Sequence, residues 1–131
     1  MTGILVAGHG RLPEELVTVC AFILGGVQQM VSLSVNPAHP PEKIRESFAE
    51  AIKKVDQGQG VLILTDLFGG TPSNIGLSFL KEGYIEVVSG VNLPMLIKAI
   101  QHQDKPPKEL ANLVVEAGRR AINQASVFLN M

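Results

Sequence analysis

An α/β fold, a doubly wound and mostly parallel flavodoxin-like sheet with helices on both faces, is predicted by three features of this 131-residue chain. Short apolar runs suited to buried strands alternate with longer stretches of helical spacing. Glycine or proline clusters stand between them as punctuation. Two of the apolar runs, Gly3 to Ala7 and Val61 to Leu64, empty into glycine-rich turns, as strands do at the ligand-binding edge of such sheets.

The elements follow in order. Ile4-Leu5-Val6-Ala7 is the first strand, and Pro13 to Leu24 a helix closed by Gly25-Gly26. Met30 to Val35 is the second strand, followed by the stiff loop Asn36-Pro37-Ala38-His39-Pro40-Pro41. Ile44, Phe48, Ile52 and Val55 then share one face of a helix that Gly58 and Gly60 end. Val61 to Leu64 is short and wholly apolar, which fits a strand covered on both faces. A short helix from Pro72 over Ser73 to Lys81 comes next, and Gly83 introduces a fourth strand, Tyr84 to Val88. Leu93, Leu96, Ile97 and Ile100 mark another helix, and Leu110, Val114, Ala117 and Ala121 a longer one. The tail Ala125 to Leu129 reads either as an extension of that helix or as a last strand.

The length is that of one domain, spanning residues 1–131, and is enough to bury roughly two-thirds of the unfolded surface. Hydrophobic residues make up 46% and charged residues 18%, a balance that argues against disorder. The formal net charge of −1 and the lack of any Lys/Arg stripe argue against nucleic acid as a partner. No apolar run approaches the ~20 residues that span a bilayer, and the opening residues lack the layout of a secretion signal. Cys20 is alone, so no intramolecular disulfide can form and a reducing cytoplasm is the expected setting. Its neighbours Val17, Val19, Ile23 and Leu24 suit a core position.

Chemistry concentrates at two strand ends. Flanked by Gly8 and Gly10, His9 stands free of steric cover at the end of the first strand. Asp66 follows the third strand, and in a flavodoxin-like order these two strands are neighbours at the switch point. An aspartate bonded to one ring nitrogen fixes the histidine tautomer and leaves the other nitrogen as a nucleophilic lone pair. Gly69, Gly70 and Thr71 follow, where backbone amides and a hydroxyl at a helix start make a cradle for an oxyanion. Thr71 before Pro72 also fits an ordinary helix N-cap, and the glycines a plain tight turn. Histidine, carboxylate and cradle together suit a phosphoryl group held on nitrogen. A Thr-His-Asp hydrolase is a rival use of the same parts, but no Gly-x-Ser-x-Gly elbow is present. Neither a Walker loop nor a Gly-x-Gly-x-x-Gly fingerprint occurs, so no nucleotide cofactor is expected. His39 and His102 read as surface residues, and no metal site is expected.

Three segments carry a family resemblance: Gly3-Ile4-Leu5-Val6-Ala7-Gly8-His9-Gly10, then Thr65-Asp66-Leu67-Phe68-Gly69-Gly70-Thr71-Pro72-Ser73-Asn74, then Ser89-Gly90-Val91-Asn92-Leu93-Pro94-Met95-Leu96. In order and spacing they resemble the IIA component of the mannose/fructose/sorbose family of the bacterial phosphoenolpyruvate-dependent sugar phosphotransferase system. The resemblance covers nearly the whole chain. It implies that His9 accepts a phosphoryl group from the phosphocarrier protein HPr and passes it to a histidine of a IIB component. Membrane partners, IIC and IID, would then carry the sugar, so contact with the membrane is indirect. It further implies that Asp66 orients His9, that Thr71 lies near the phosphoryl group, and that no cofactor is needed. A homodimer exchanging a C-terminal edge strand is implied as well, which would make Ala125 to Leu129 that strand.

Two proteins must reach His9, so Gly10, Arg11, Leu12 and the loop Asn92-Leu93-Pro94-Met95 are the expected docking rim. Arg11 is assigned either to phosphoryl or partner contact or to solvent. With no Ala/Pro-rich linker and no IIB segment in the sequence, IIB is expected on a separate polypeptide. A phosphorylation-sensing regulatory module is the alternative role.

Overall fold

Alternation of strand and helix builds one parallel sheet. The computed structural model describes residues 1–131 except for the side chain of Pro72. Strands β1 (Gly3–His9), β2 (Met30–Val35), β3 (Val61–Thr65) and β4 (Ile85–Ser89) lie in the order β2-β1-β3-β4. Every pairing is parallel, with Ala7 opposite both Leu33 and Thr65, and Thr65 opposite Ser89. This is the expected flavodoxin-like order. The inner strands β1 and β3 are buried along their apolar length, whereas β2 alternates and all of β4 is half-buried. Full burial is why the inner strands read as unbroken apolar runs.

Among the described residues five helices cover the faces, α1 (Leu12–Leu24), α2 (Pro41–Val55), α3 (Thr71–Leu77), α4 (Leu93–Gln101) and α5 (Pro107–Arg120), and a short α6 (Ala125–Phe128) follows. Side chains alternate across a strand, so each inner strand feeds two cores. Ile4, Val6, Leu62 and Leu64 pack with Cys20 of α1, Leu96 and Ala99 of α4, and Leu110 and Val114 of α5. Leu5, Ala7, Val61 and Ile63 face Ile44, Phe48, Ile52 and Val55 of α2 and Ile75 of α3. Cys20 is fully buried, and burial pushes its thiol up, as suits a core position. Gly25 ends α1 in the left-handed region at φ 76°, and the following Gly26 N–H bonds the Ala21 carbonyl at 2.8 Å.

Two segments differ from expectation. α3 stops at Leu77, four residues before Lys81. The Ser78 hydroxyl bonds the Ile75 carbonyl, and the N–H groups of Ser78, Phe79 and Leu80 reach carbonyls three residues back. A tightened turn of this kind runs the helix out. The tail, expected as a helix extension or a last strand, is neither within the single chain. Ala121 caps α5, and Ala125–Phe128 makes a separate helical turn with no buried residue. Its amides are satisfied locally, Phe128 N–H on the Gln124 carbonyl and Leu129 N–H on Ala125, both at 2.9 Å. A lone segment without a neighbouring strand pairs its backbone with itself. Among the described residues no helix is long and apolar enough to cross a membrane.

Candidate functional site

The switch point sits where β1 and β3 end side by side. His9 is the last residue of β1 and Asp66 the first residue beyond β3. Their side chains meet. Asp66 Oδ2 accepts from the His9 backbone N–H at 2.8 Å and lies 2.9 Å from ring Nδ1. Asp66 Oδ1 accepts from the Leu67 N–H at 2.9 Å. Burial raises the Asp66 carboxyl, but the bonds from the His9 backbone, the His9 ring and the Leu67 backbone outweigh it and hold the group below the usual carboxylate range. An ionised carboxylate only accepts, so Nδ1 carries the proton and Nε2 the lone pair. The His9 side chain is 41% exposed against 9% for Asp66, which leaves the ring open to a large partner over a nearly covered anion.

Glycines make this approach possible. A Cβ on Gly8 would lie 2.8 Å from the Asp66 carboxyl. A Cβ on Gly70 would lie 3.3 Å from His9 Cε1 and 3.9 Å from Nε2, so the backbone at Gly70 forms a wall beside the free nitrogen. Gly10, at φ 57°, turns the chain away from His9, and its carbonyl is held by the Ser34 hydroxyl of β2 at 2.6 Å. Gly69 has φ 85°, a conformation that favours glycine.

The loop that carries Gly69 and Gly70 closes onto α3. Gly70 is the N-cap, with φ −78° and ψ 168°, and no side chain caps the helix. This corrects the capping reading of Thr71, which is instead the first helical residue. A further tie comes from Asn74, whose backbone N–H bonds the Gly70 carbonyl at 2.9 Å and whose Nδ2 bonds the Gly69 carbonyl at 3.2 Å.

Over residues 3–115 the chain matches the model of the family described as PTS system fructose IIA component. It belongs to that family. The chain is 33% identical over 123 residues to the PTS system mannose-specific EIIAB component of Escherichia coli (strain K12), covering 91% of this chain and 38% of that protein. It thus spans well under half the length of that relative. The PTS system fructose-specific EIIA component of Bacillus subtilis (strain 168) is 30% identical over 101 residues, 76% of this chain and 69% of its own. Among solved structures, the PTS IIA protein associated with the fucose utilization operon from Streptococcus pneumoniae superposes with TM-score 0.85 at 29% identity, covering 98% of this chain and 96% of that one.

In this IIA-family chain the expected docking rim is only partly open. Arg11 is well exposed and its guanidinium reaches Glu15 at 3.0 Å. Leu12 is exposed. Asn92 is occupied in holding α4 and α5: Oδ1 accepts from Met95 N–H at 3.1 Å and Nδ2 donates to the Gly118 carbonyl at 3.2 Å. Leu93 is half-buried and Pro94 exposed. Met95 is a correction, because it is 3% exposed and packed in the core, where no partner can touch it. Its thioether fits against Gly118, a contact that sequence spacing does not reveal. Sequence reasoning also passed over Leu67 and Phe68, which are 59% and 81% exposed in the turn directly after Asp66. Two bulky apolar residues inside a glycine-rich turn were the signal.

Proposed function

We propose that this chain is a phosphoryl-relay component of a sugar phosphotransferase system, with His9 as the residue that carries the group. The observation that carries the reading is the pairing of His9 Nδ1 with Asp66 Oδ2 at 2.9 Å, which leaves Nε2 as the nucleophile on a 41% exposed side chain. Membership of the IIA family supports the same role.

The transfer is a displacement at phosphorus. The Nε2 lone pair attacks the phosphoryl group on the phosphohistidine of HPr; a P–N bond to His9 forms as the P–N bond to HPr breaks. The electron pair of that bond returns to the HPr imidazole. As Nε2 bonds to phosphorus, the His9 ring gains positive charge, which the Asp66 carboxylate stabilises. Gly69, Gly70 and Thr71 supply the phosphoryl-binding side through backbone amides and the Thr71 hydroxyl. That stabilisation has to be modest, because the same group then passes to a histidine of a IIB component by the reverse displacement. Sugar never meets this chain. A cytoplasmic setting, and a homodimer exchanging the segment Ala125 to Leu129, belong to the same proposal; light scattering that returns a monomer removes the exchange.

The test is radiolabelled transfer from phosphoenolpyruvate in the presence of enzyme I and HPr, comparing wild type with His9→Ala. Acid-labile, alkali-stable label on wild type alone supports His9 as the acceptor. Absence of label on both proteins overturns the relay.

A further inference from the structure

Beneath the first turn of α3 lies a group of hydroxyls in an otherwise apolar layer. Ser73, two residues past Thr71, is fully buried, and its Oγ is 3.3 Å from the Oγ of Ser89 at the end of β4. Thr65, the register partner of Ser89 on β3, is also fully buried, and its Oγ1 has no hydrogen-bond partner among the described residues. Register partners on neighbouring parallel strands project to the same side of the sheet. Thr65 Cγ2 lies 3.6 Å from the position of a Cβ on Gly76, with Ile63 and Phe48 at the same distance. All three hydroxyls therefore sit between the strand ends and α3, bordered by the aliphatic and aromatic core.

Alanine or valine would fill such positions without the desolvation penalty that buried hydroxyls carry. What the hydroxyls add is direction, since a hydrogen bond holds one angle and distance where apolar contact lets a helix slide. α3 needs that direction. It has seven residues and no capping side chain, and its N-cap Gly70 stands beside the His9 ring, where a Cβ would fall 3.3 Å from Cε1 and 3.9 Å from Nε2.

We infer that Ser73 and Ser89, with Thr65 beside them, form a buried seat that sets where the first turn of α3 stands against His9, which makes Ser73 and Ser89 positioning residues for transfer at Nε2. The inference rests on the reading of His9 as the phosphoryl acceptor. A misplacement of this wall changes how the phosphoryl group is held on Nε2 and leaves the outer surface that partners touch unaltered.

The experiment measures kcat and KM for transfer from phospho-HPr to the full chain in wild type, Ser73→Ala, Ser89→Ala, the double variant and Ser89→Thr. Both single alanines are expected to lower kcat by roughly tenfold with KM unchanged, in line with the sensitivity of transfer to small misplacements. The double variant is expected to be no slower than either single, and Ser89→Thr, which keeps the hydroxyl, to hold wild-type kcat. A kcat within twofold of wild type in the alanine variants, with only the melting temperature lowered, overturns the inference; so do additive losses in the double. Should Ser73→Ala fail to fold, the half-buried Ser89 position decides alone. The NMR signal of the His9 ring Hε1, which faces Gly70, gives a readout without phosphate. If wild type takes no label, the acceptor reading falls, and an unmoved Hε1 in the alanine variants separately removes the seat.

Discussion

Gly8 and Asp66 stand so close that a Cβ on Gly8 would lie 2.8 Å from the Asp66 carboxyl carbon and from Oδ2, the same oxygen that bonds the His9 ring. Gly8→Ala is therefore expected to push the carboxylate off the ring. Phosphoryl transfer to His9 should fall by roughly a hundredfold, the scale of an ångström-level misplacement. The check is labelling rate from phospho-HPr, with 15N NMR of the imidazole reporting a mixture of tautomers where wild type has one.

Asp66→Asn removes the anion but keeps the shape. Its amide can present an N–H to the ring and hold the wrong tautomer, so transfer is expected to drop by roughly 10²-fold or more. Single-turnover labelling measures it. A rate within threefold of wild type would contradict the orienting role.

Acid should reach the same carboxylate. The folded Asp66 carboxyl titrates below its ordinary value of 3.8, so the folded state binds this proton less readily than the unfolded chain does. The stabilisation it gives is complete above 3.8 and is lost as pH falls through the lower folded value. Asp56, bonded by Tyr84 and Gly58, is lowered too, so the comparison must be with Asp66→Asn. The difference in melting temperature between wild type and that variant is expected to shrink as pH is taken from neutral to below 3.8.

Gly70→Ala tests the wall beside the proposed nucleophile. The backbone at φ −78° accepts alanine without strain, so the fold should hold. A methyl group 3.3 Å from His9 Cε1 crowds the approach to Nε2, and transfer is expected to slow by roughly tenfold. Unchanged melting with a slowed rate is the expected pair of results.

Phe48 carries the α2 face of the core: it is fully buried and stacked on Phe79 with ring centroids 6.0 Å apart. Phe48→Ala is expected to cost about 3–5 kcal/mol of stability in urea unfolding. Smaller losses would mean that α2 and α3 close over the cavity.

Apolar spacing made the sheet legible, because strands buried on both faces, such as Val61 to Thr65, leave an unbroken apolar record, and Ile44, Phe48, Ile52 and Val55 sit one helical turn apart. The meeting of His9 and Asp66 was legible for a different reason. Strand order β2-β1-β3-β4 brings two chain-distant turns to one edge, and glycines mark both. What escaped were local decisions. Ser78 ending α3 and Asn92 turning inward to Gly118 each depend on one polar contact that carries no periodic signal, and Gly70 takes the cap from Thr71 by backbone conformation alone. Met95 read as rim because it belongs to the Asn92-Leu93-Pro94-Met95 loop, yet its partner Gly118 lies on another helix.

One oxygen of Asp66 grips both the main chain and the ring of the same residue, His9. The imidazole is thereby stationary: its rotamer freedom is surrendered once, at folding, and not again at each encounter. In the proposed relay, donor and acceptor alike would meet a fixed target, and all the searching would fall to the molecules that diffuse toward it.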